Sequence, residues 1–392
     1  MKLNSLLSNL VYVAAMTLAF ASPVSAQRTA KNVTTEPKAV VFAQGLVAPW
    51  GMAVLPDGRV LVTQKSGEVR SVSADGKTLS APLSGVPNVV DAGQGGLLGL
   101  ALDPDFATQP WVYLSFSEAD PTGGLRSGTA VFRARLQGNA LVGGAVIFRM
   151  NEKVASNGHF GSRIVFARDK TMFVTLGDRQ ARGERGKAQQ LDRHHGKVIR
   201  INRDGSIPAD NPYVVKPVAD ALPELWSYGH RNPQGAALHP TTGELWVSEH
   251  GPQGGDEINI ARATRNYGWP EISWGCEYGT SPIEKCIWAG GTTRAGMEQP
   301  ITYWRPESIA PSGMIFYTGD KFPQWKGSLF VGALSGNAGG RQLWRLTLKG
   351  DTVVAREALF ANLGERIRDV AQSPDGDVLL LSDSGKIFRV QR

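Results

Sequence analysis

The chain has 392 residues, 42% of them hydrophobic and 20% charged, a balance that suits a folded protein with a sizeable core and excludes disorder, collagen and coiled coil. Its 46 Gly and 23 Pro point to many tight turns, and many turns in a long chain favour short β-strands. Lys+Arg 42 against Asp+Glu 35 gives a formal charge of +7, compatible with an anionic ligand or with a plain basic surface; no Lys/Arg run approaches a nucleic-acid patch.

Residues 1–26 read as a secretory signal peptide. Lys2 is the positive start, Leu10 to Ala21 is apolar apart from Thr17, and Val24-Ser25-Ala26 supplies small residues for cleavage. A membrane anchor is the competing reading, but the apolar run falls short of the ~20 residues that a spanning helix needs. No later segment is long and apolar enough to span. Residues 27–37 are polar and read as a lead-in, with Asn32-Val33-Thr34 a short match to a glycosylation sequon.

From residue 38 one pattern recurs: a small residue, a short apolar strand, a Pro/Asp/Gly turn and a second apolar strand. Its copies are GMAVLPDGRVLVTQ from Gly51, GLALDPDFATQPWVYLSFS from Gly99 and SRIVFARDKTMFVTLGD from Ser162. They continue with GAALHPTTGELWVSEHG from Gly235, GMIFYTGDKFPQWKGSLFVGAL from Gly313 and DVAQSPDGDVLLLSD from Asp369. Further strands follow several copies, as in GEVRSVSA, GKVIRINRDG, RQLWRLTLKGD and GKIFRVQR. Four strands in each of six units predict an all-β fold, a six-bladed β-propeller of four-stranded antiparallel blades over residues 38–392. KAVVFAQGL, ahead of the first copy, is placed to complete the last blade. Two β-sandwiches would not explain six copies of one pattern, and no helix of normal length is readable.

In such a blade, strands A to D, the connection into strand A and the loop between B and C open on one face, where ligands collect. Before the A strands stand Gln94, His159, Arg231 with Asn232, and Arg366 with Arg368. Between B and C lie GPQGGDE at 251–257 and the loop from Ser335 to Gly340. One imidazole, three guanidiniums, amides and an acidic Gly-rich loop on one face suit a polyanionic ligand beside a metal ion. Each also has a plainer reading. His159 can be bonded to backbone, and Arg231 and Asn232 can hold turns. Arg366 and Arg368 can pair with Glu365 or Asp369 at the surface. Asp256 and Glu257 can be solvated, and the ten Trp can all be packing. Cys276 and Cys286 pair in an oxidising compartment or remain two free thiols. Walker, HExxH, EF-hand and GxSxG motifs are absent, and GQGGLLG does not fit the dinucleotide fingerprint.

GLVAPWGMAVLPDGRVLVTQKSG, GQGGLLGLALDPDFA, GHFGSRIVF, LWSYGHRNPQGAALHP, EHGPQGGDEIN, NYGWP, PSGMIFYTGDKFP and GERIRDVAQSPDG resemble the soluble aldose sugar dehydrogenases that depend on pyrroloquinoline quinone (PQQ), the family of soluble quinoprotein glucose dehydrogenase. The likeness runs over about residues 40–390. It implies His159 as general base toward the anomeric hydroxyl of an aldose sugar, with hydride passing to the quinone. It implies Arg231 and Asn232 at the quinone's reactive oxygens, Gln94 and Tyr278 nearby, and Arg366 and Arg368 on its carboxylates. It implies calcium on the carbonyls of Gly251 and Pro252, and a second calcium at Glu257 and Tyr267. Where the glucose dehydrogenase branch carries a lysine over the quinone, this chain has GALSGNAGGR, with Ser335 and no Lys, which favours the aldose dehydrogenase branch. The implied setting is periplasmic or secreted, with an unidentified electron acceptor, as a monomer or homodimer. A calcium-dependent propeller hydrolase using His159 on water, and a sugar-binding propeller without activity, are the readings from other classes.

Overall fold

A computed structural model of the chain describes residues 36–282, 285–337 and 339–392; the expected signal segment and most of the lead-in lie outside them. Strand β1 (Lys38–Ala43) comes first. Blade 1 follows with β2 (Pro49–Val54), β3 (Val60–Gln64) and β4 (Glu68–Val72), and blade 2 with β5 (Leu97–Leu102), β6 (Trp111–Ala119), β7 (Ser127–Gln137) and β8 (Ala140–Arg149). Blade 3 comprises β9 (Ile164–Phe166), β10 (Met172–Leu176), β11 (Lys197–Ile201) and β12 (Leu225–Tyr228). Blade 4 comprises β13 (Pro233–Leu238), β14 (Leu245–Glu249), β15 (Asp256–Ile260) and β16 (Thr302–Trp304). Blade 5 is β17 (Pro311–Phe316), β18 (Leu329–Ala333), β19 (Leu343–Lys349) and β20 (Thr352–Leu359); blade 6 has β21 (Ile367–Gln372), β22 (Val378–Ser382) and β23 (Ile387–Gln391). Neighbouring strands within each blade are antiparallel, and β1 pairs with β23 as the fourth strand of blade 6. The ring is closed by the segment ahead of the first repeat, as its sequence suggested. In blade 1 the outer place is taken by an irregular segment: Ser80 and Leu83 donate to the Ser71 and Val69 carbonyls at 2.8 Å each. The described residues contain one α-helix, Pro212–Val215, and no helix long and apolar enough to cross a membrane.

The second strand of most blades is a run of apolar residues, VLVTQ, MFVTL, LWVSE, LFVGA and VLLLS, and each is buried along its length. Such a strand has no solvent face because a blade lies on either side of it. Accordingly the core is not one mass. It is six apolar seams, one between each adjacent pair of blades, including the pair that closes the ring through Leu379, Leu381, Met52 and Val60.

The axis itself is polar. In blades 1 to 4 a hydroxyl on the second strand donates to a carbonyl at the head of the next blade. Thr63 reaches Leu98 (2.6 Å), Ser115 reaches Ser162 (2.6 Å), Thr175 reaches Pro233 (2.8 Å) and Ser248 reaches Ser312 (3.1 Å). Thr63, Ser115 and Thr175 also accept an N–H from their own blade's inner segment, from Gly51, Gly99 and Arg163. The matching positions of blades 5 and 6 are Gly332 and Leu381. There the inner strand does the work: Ser312 Oγ donates to Ile367 (2.6 Å), and Asp369 Oδ2 accepts from Met52 N–H (2.9 Å). This explains the small residue that heads each repeat. A methyl at Gly99 would collide with the Ser162 carbonyl oxygen and press on Ser115 Oγ.

Asp369 is therefore not a surface partner of Arg366 or Arg368. It is 2% exposed and also receives Arg163 Nη1 at 3.1 Å, an ion pair across the channel between blades 3 and 6. Glu365 is likewise taken, by Lys386 at 2.8 Å.

Two substitutions in one clasp test this packing. Ser115→Ala leaves a buried carbonyl and N–H unpaired and should lower unfolding stability by about 1–3 kcal/mol. Gly99→Ala forces a backbone shift as well and should cost at least as much. Chemical denaturation of both variants, with unchanged stability of Gly99→Ala as the contrary result, checks it.

Candidate active site

The loops entering the inner strands and those joining second to third strands meet at one mouth of the channel. His159 precedes β9 with φ +49, a left-handed backbone that is uncommon for a non-glycine residue. Gln94 Oε1 holds its N–H at 2.8 Å. The imidazole is 3% exposed, and its Nδ1 lies 2.6 Å from Asp178 Oδ1. That oxygen also accepts Gln180 N–H at 2.8 Å, and Oδ2 accepts Trp269 Nε1–H at 2.7 Å. A carboxylate already accepting two N–H groups sets the tautomer: the proton is on Nδ1 and the lone pair on Nε2. Burial, and then the Arg231 charge, push the His159 imidazole below its ordinary pKa, with Asp178 opposing. Burial would raise Asp178, but the bond to His159 and the charges of His159 and Arg231 hold it below the carboxylate range. The arrangement is a neutral imidazole held by Asp178, with Nε2 available to accept a proton.

Arg231 and Asn232 stand just before β13. The Arg231 N–H donates to Glu249 Oε2 (2.7 Å), Nη1 to the carbonyls of His250 (3.0 Å) and Gly251, and Nη2 to Tyr278 Oη (3.2 Å). Asn232 Oδ1 accepts Gly161 N–H at 3.2 Å. Arg231 Nε and Asn232 Nδ2 are buried donors without a partner among the described residues. Two neighbouring buried donors left without partners are what an anionic or carbonyl-bearing ligand would satisfy.

Arg366 and Arg368 flank the start of β21 and share Asp383, from the β22–β23 loop. Their Nε atoms each donate to it at 2.8 Å. Arg368 Nη1 also reaches Gln234 Oε1 (3.1 Å), and Arg366 Nη1 the Leu334 carbonyl. Burial works to raise Asp383, yet Arg368 and Arg366 hold it below the ordinary range. Ser335, next to Leu334, shares the lining of a cavity of about 650 Å³ with Gly251, Pro252 and Tyr278.

The GPQGGDE loop is not solvated. Asp256 is fully buried and accepts from Gly251 N–H (2.9 Å), Ser308 Oγ (2.7 Å) and Ala310 N–H (2.8 Å). Both its oxygens are engaged in tying the loop to the segment at Ser308 and Ala310, so it acts as a brace. Gly255 has φ +71, and a side chain there would strike the backbone of Gly275. Cys276 exchanges two backbone bonds with Gln253, each 2.9 Å, and forms the expected disulfide with Cys286.

Beneath this loop a cavity of about 20 Å³ is lined by Glu249, Glu257, Tyr267, Gly229 and others. Asn259 Nδ2 bridges Glu249 (3.0 Å) and Glu257 (3.1 Å). Burial, and then the charge of Glu249, push Glu257 well above the ordinary carboxylate range, so a cation between them would relieve both. The Tyr267 hydroxyl donates to the Ile260 carbonyl and accepts from Arg262 N–H (2.8 Å). Only its backbone carbonyl is left for a cation. No three His, Cys, Asp or Glu side chains among the described residues cluster for a metal, so carbonyls must complete any such site.

Every sequence-nominated residue thus falls on this mouth or directly beneath it. Asp178, Trp269 and Asp383 were missed. Asp178 and Asp383 lie in the B–C loops of blades 3 and 6, the class of loop already singled out, and were readable there.

The family model described as glucose/sorbosone dehydrogenase matches residues 46–389. The aldose sugar dehydrogenase YliI of Escherichia coli K12 is 44% identical over 355 residues, which cover 89% of this chain and 91% of that protein. The soluble aldose sugar dehydrogenase of Escherichia coli in its apo-form aligns with a TM-score of 0.83 at 42% identity, over 91% of this chain and 99% of that one. The PQQ-bound form of the Streptomyces coelicolor aldose sugar dehydrogenase aligns with a TM-score of 0.72 at 28% identity, over 91% and 98%.

The tautomer assignment is directly testable. In Asp178→Ala the His159 ring loses its Nδ1 partner, and nitrogen-15 spectra of the labelled imidazole should change from one fixed tautomer to a mixture. A spectrum identical to wild type would contradict it.

Proposed function

The chain belongs to the glucose/sorbosone dehydrogenase family, and on that premise we propose that it oxidises the anomeric hydroxyl of aldose sugars to the lactone, with pyrroloquinoline quinone as electron acceptor and calcium as its partner ion. The observation that carries this reading is the pair of stranded buried donors, Arg231 Nε and Asn232 Nδ2, beside an imidazole whose tautomer leaves Nε2 free. The donor set fits the quinone. Guanidiniums suit its carboxylates through charge-assisted bonds, and two N–H donors suit its carbonyl oxygens.

When bound, the quinone supplies a two-electron acceptor for hydride from the anomeric carbon, and calcium supplies Lewis acidity. His159 Nε2 takes the hydroxyl proton. Asp178 keeps Nδ1–H in place and stabilises the imidazolium that results. Arg231 and Asn232 would donate to the acceptor's oxygens, Arg366 and Arg368 would bind its carboxylates, and Gln94, Tyr278 and Ser335 would complete the cradle. The carbonyls of Gly251 and Pro252 would hold the active-site calcium; Glu257 and the Tyr267 carbonyl would hold a second. In this structure the Gly251 carbonyl accepts from Arg231, so a cation held on that oxygen would compete with this hydrogen bond. The leading segment and the disulfide support export to the periplasm or beyond.

The test is reconstitution. The protein with quinone and calcium should reduce an artificial electron acceptor only when an aldose is added, and omission of either component should abolish the reaction. Sugar-independent hydrolysis of a lactone without quinone would replace this reading with the hydrolase.

The imidazole also sets a pH profile. Neutral His159 is the reactive form, and its pKa lies below the ordinary value of 6.5. Turnover should therefore fall on the acid side with its midpoint below 6.5. A midpoint above about pH 7 would contradict the assignment.

A further inference from the structure

Trp269 lies in the excursion between β15 and β16, 4% exposed, and touches both halves of the site. Its Nε1–H donates to Asp178 Oδ2 at 2.7 Å, while Asp178 Oδ1 holds His159 Nδ1 at 2.6 Å. Its ring face lies under Arg231, whose guanidinium carbon is 5.1 Å from the ring centroid. The indole is held independently of these contacts. The backbone N–H of Trp269 donates to the Gly229 carbonyl (2.9 Å), and its backbone carbonyl accepts from Gln189 Nε2 (2.6 Å). Trp288 packs on it at 5.1 Å and is itself bonded to the Pro270 carbonyl at 2.8 Å.

An Asp side chain has a soft terminal torsion. The bonds to Oδ1 alone would let the carboxylate plane turn and carry the imidazole with it. A donor fixed from another loop removes that freedom, and an indole N–H has no acceptor character that could confuse the pairing. The same ring seats a guanidinium by its π face. We propose that Trp269 is a positioning residue that fixes the Asp178 carboxylate, and through it His159, in register with Arg231. The proposal rests on the reading of His159 as proton acceptor.

Trp269→Phe removes the N–H donor and keeps an aromatic face for Arg231. It should lower turnover by about tenfold or more with little change in KM for the sugar. In an Asp178→Asn background the same change should cost almost nothing further, because the step it serves is already lost. Equal losses in both backgrounds, or wild-type turnover in Trp269→Phe, would overturn the proposal. A second measurement needs neither cofactor nor a folded Trp269 variant. In tryptophan labelled with nitrogen-15, the indole N–H resonance bonded to Asp178 should lie downfield and move upfield in Asp178→Asn; if no indole resonance moves, the proposal is wrong. Near wild-type turnover in His159→Ala would instead remove the reading of the reaction and leave the indole bond intact.

Discussion

The hydroxyl clasps around the channel set the position of everything at the mouth. Thr63, Ser115, Thr175, Ser248 and Ser312 each tie one blade to the head of the next, and Asp369 ties the last blade to the first. Each bond is worth only about 0.5–1.5 kcal/mol net. All are buried, however, so a broken clasp strands a carbonyl, or at Asp369 an N–H, in a place that water does not reach. The apolar seams supply most of the burial but are not directional; the clasps supply register. Arg163 and Asp369 add an ion pair across the axis. Gln94, His159, Arg231, Asn232, Arg366 and Arg368 all sit within a few residues of a clasped segment, and that is why four separate segments can form one site.

Electrostatics at the mouth is arranged before any ligand arrives. Asp178 and Asp383 are each surrounded by donors, which orient an imidazole in one case and two guanidiniums in the other. Burial also drives His250 to a pKa of about 3, so it is neutral beside Arg231 and leaves the positive charge to arginine. The Glu249–Glu257 pair is the opposite case. Two buried carboxylates side by side repel, and Asn259 satisfies them only in part. Such a pair is stable when one carboxyl is protonated or when a cation sits between them.

The repeat made the propeller legible, because each blade must bury a second strand on both faces and turn tightly at Pro, Asp or Gly. The ring closure by residues 38–43 was legible for the same reason. Topology then picked the loops, and the residues it picked lie close together in the structure: Gln94 bonds His159, and Arg231 bonds Gly251 and Tyr278. What sequence alone did not reveal was pairing across blades. Arg366 and Arg368 had acidic neighbours in Glu365 and Asp369, yet both pair with Asp383, fifteen or more residues away, while Asp369 faces Arg163 from the far side of the channel. Asp256 looked like one acid in a Gly-rich loop and is a buried brace. Trp269 looked like packing because a tryptophan's single N–H leaves no periodic trace.

The central claim is that His159 accepts the sugar's proton as hydride leaves the anomeric carbon. The most direct measurement is single-turnover reduction of bound quinone, followed optically, with sugar carrying hydrogen or deuterium at that carbon, in wild type and in His159→Ala. The account predicts a primary isotope effect in wild type. In the variant it predicts unchanged quinone affinity and a rate lower by about 10²–10⁴-fold. Reduction by His159→Ala at a rate close to wild type would contradict it.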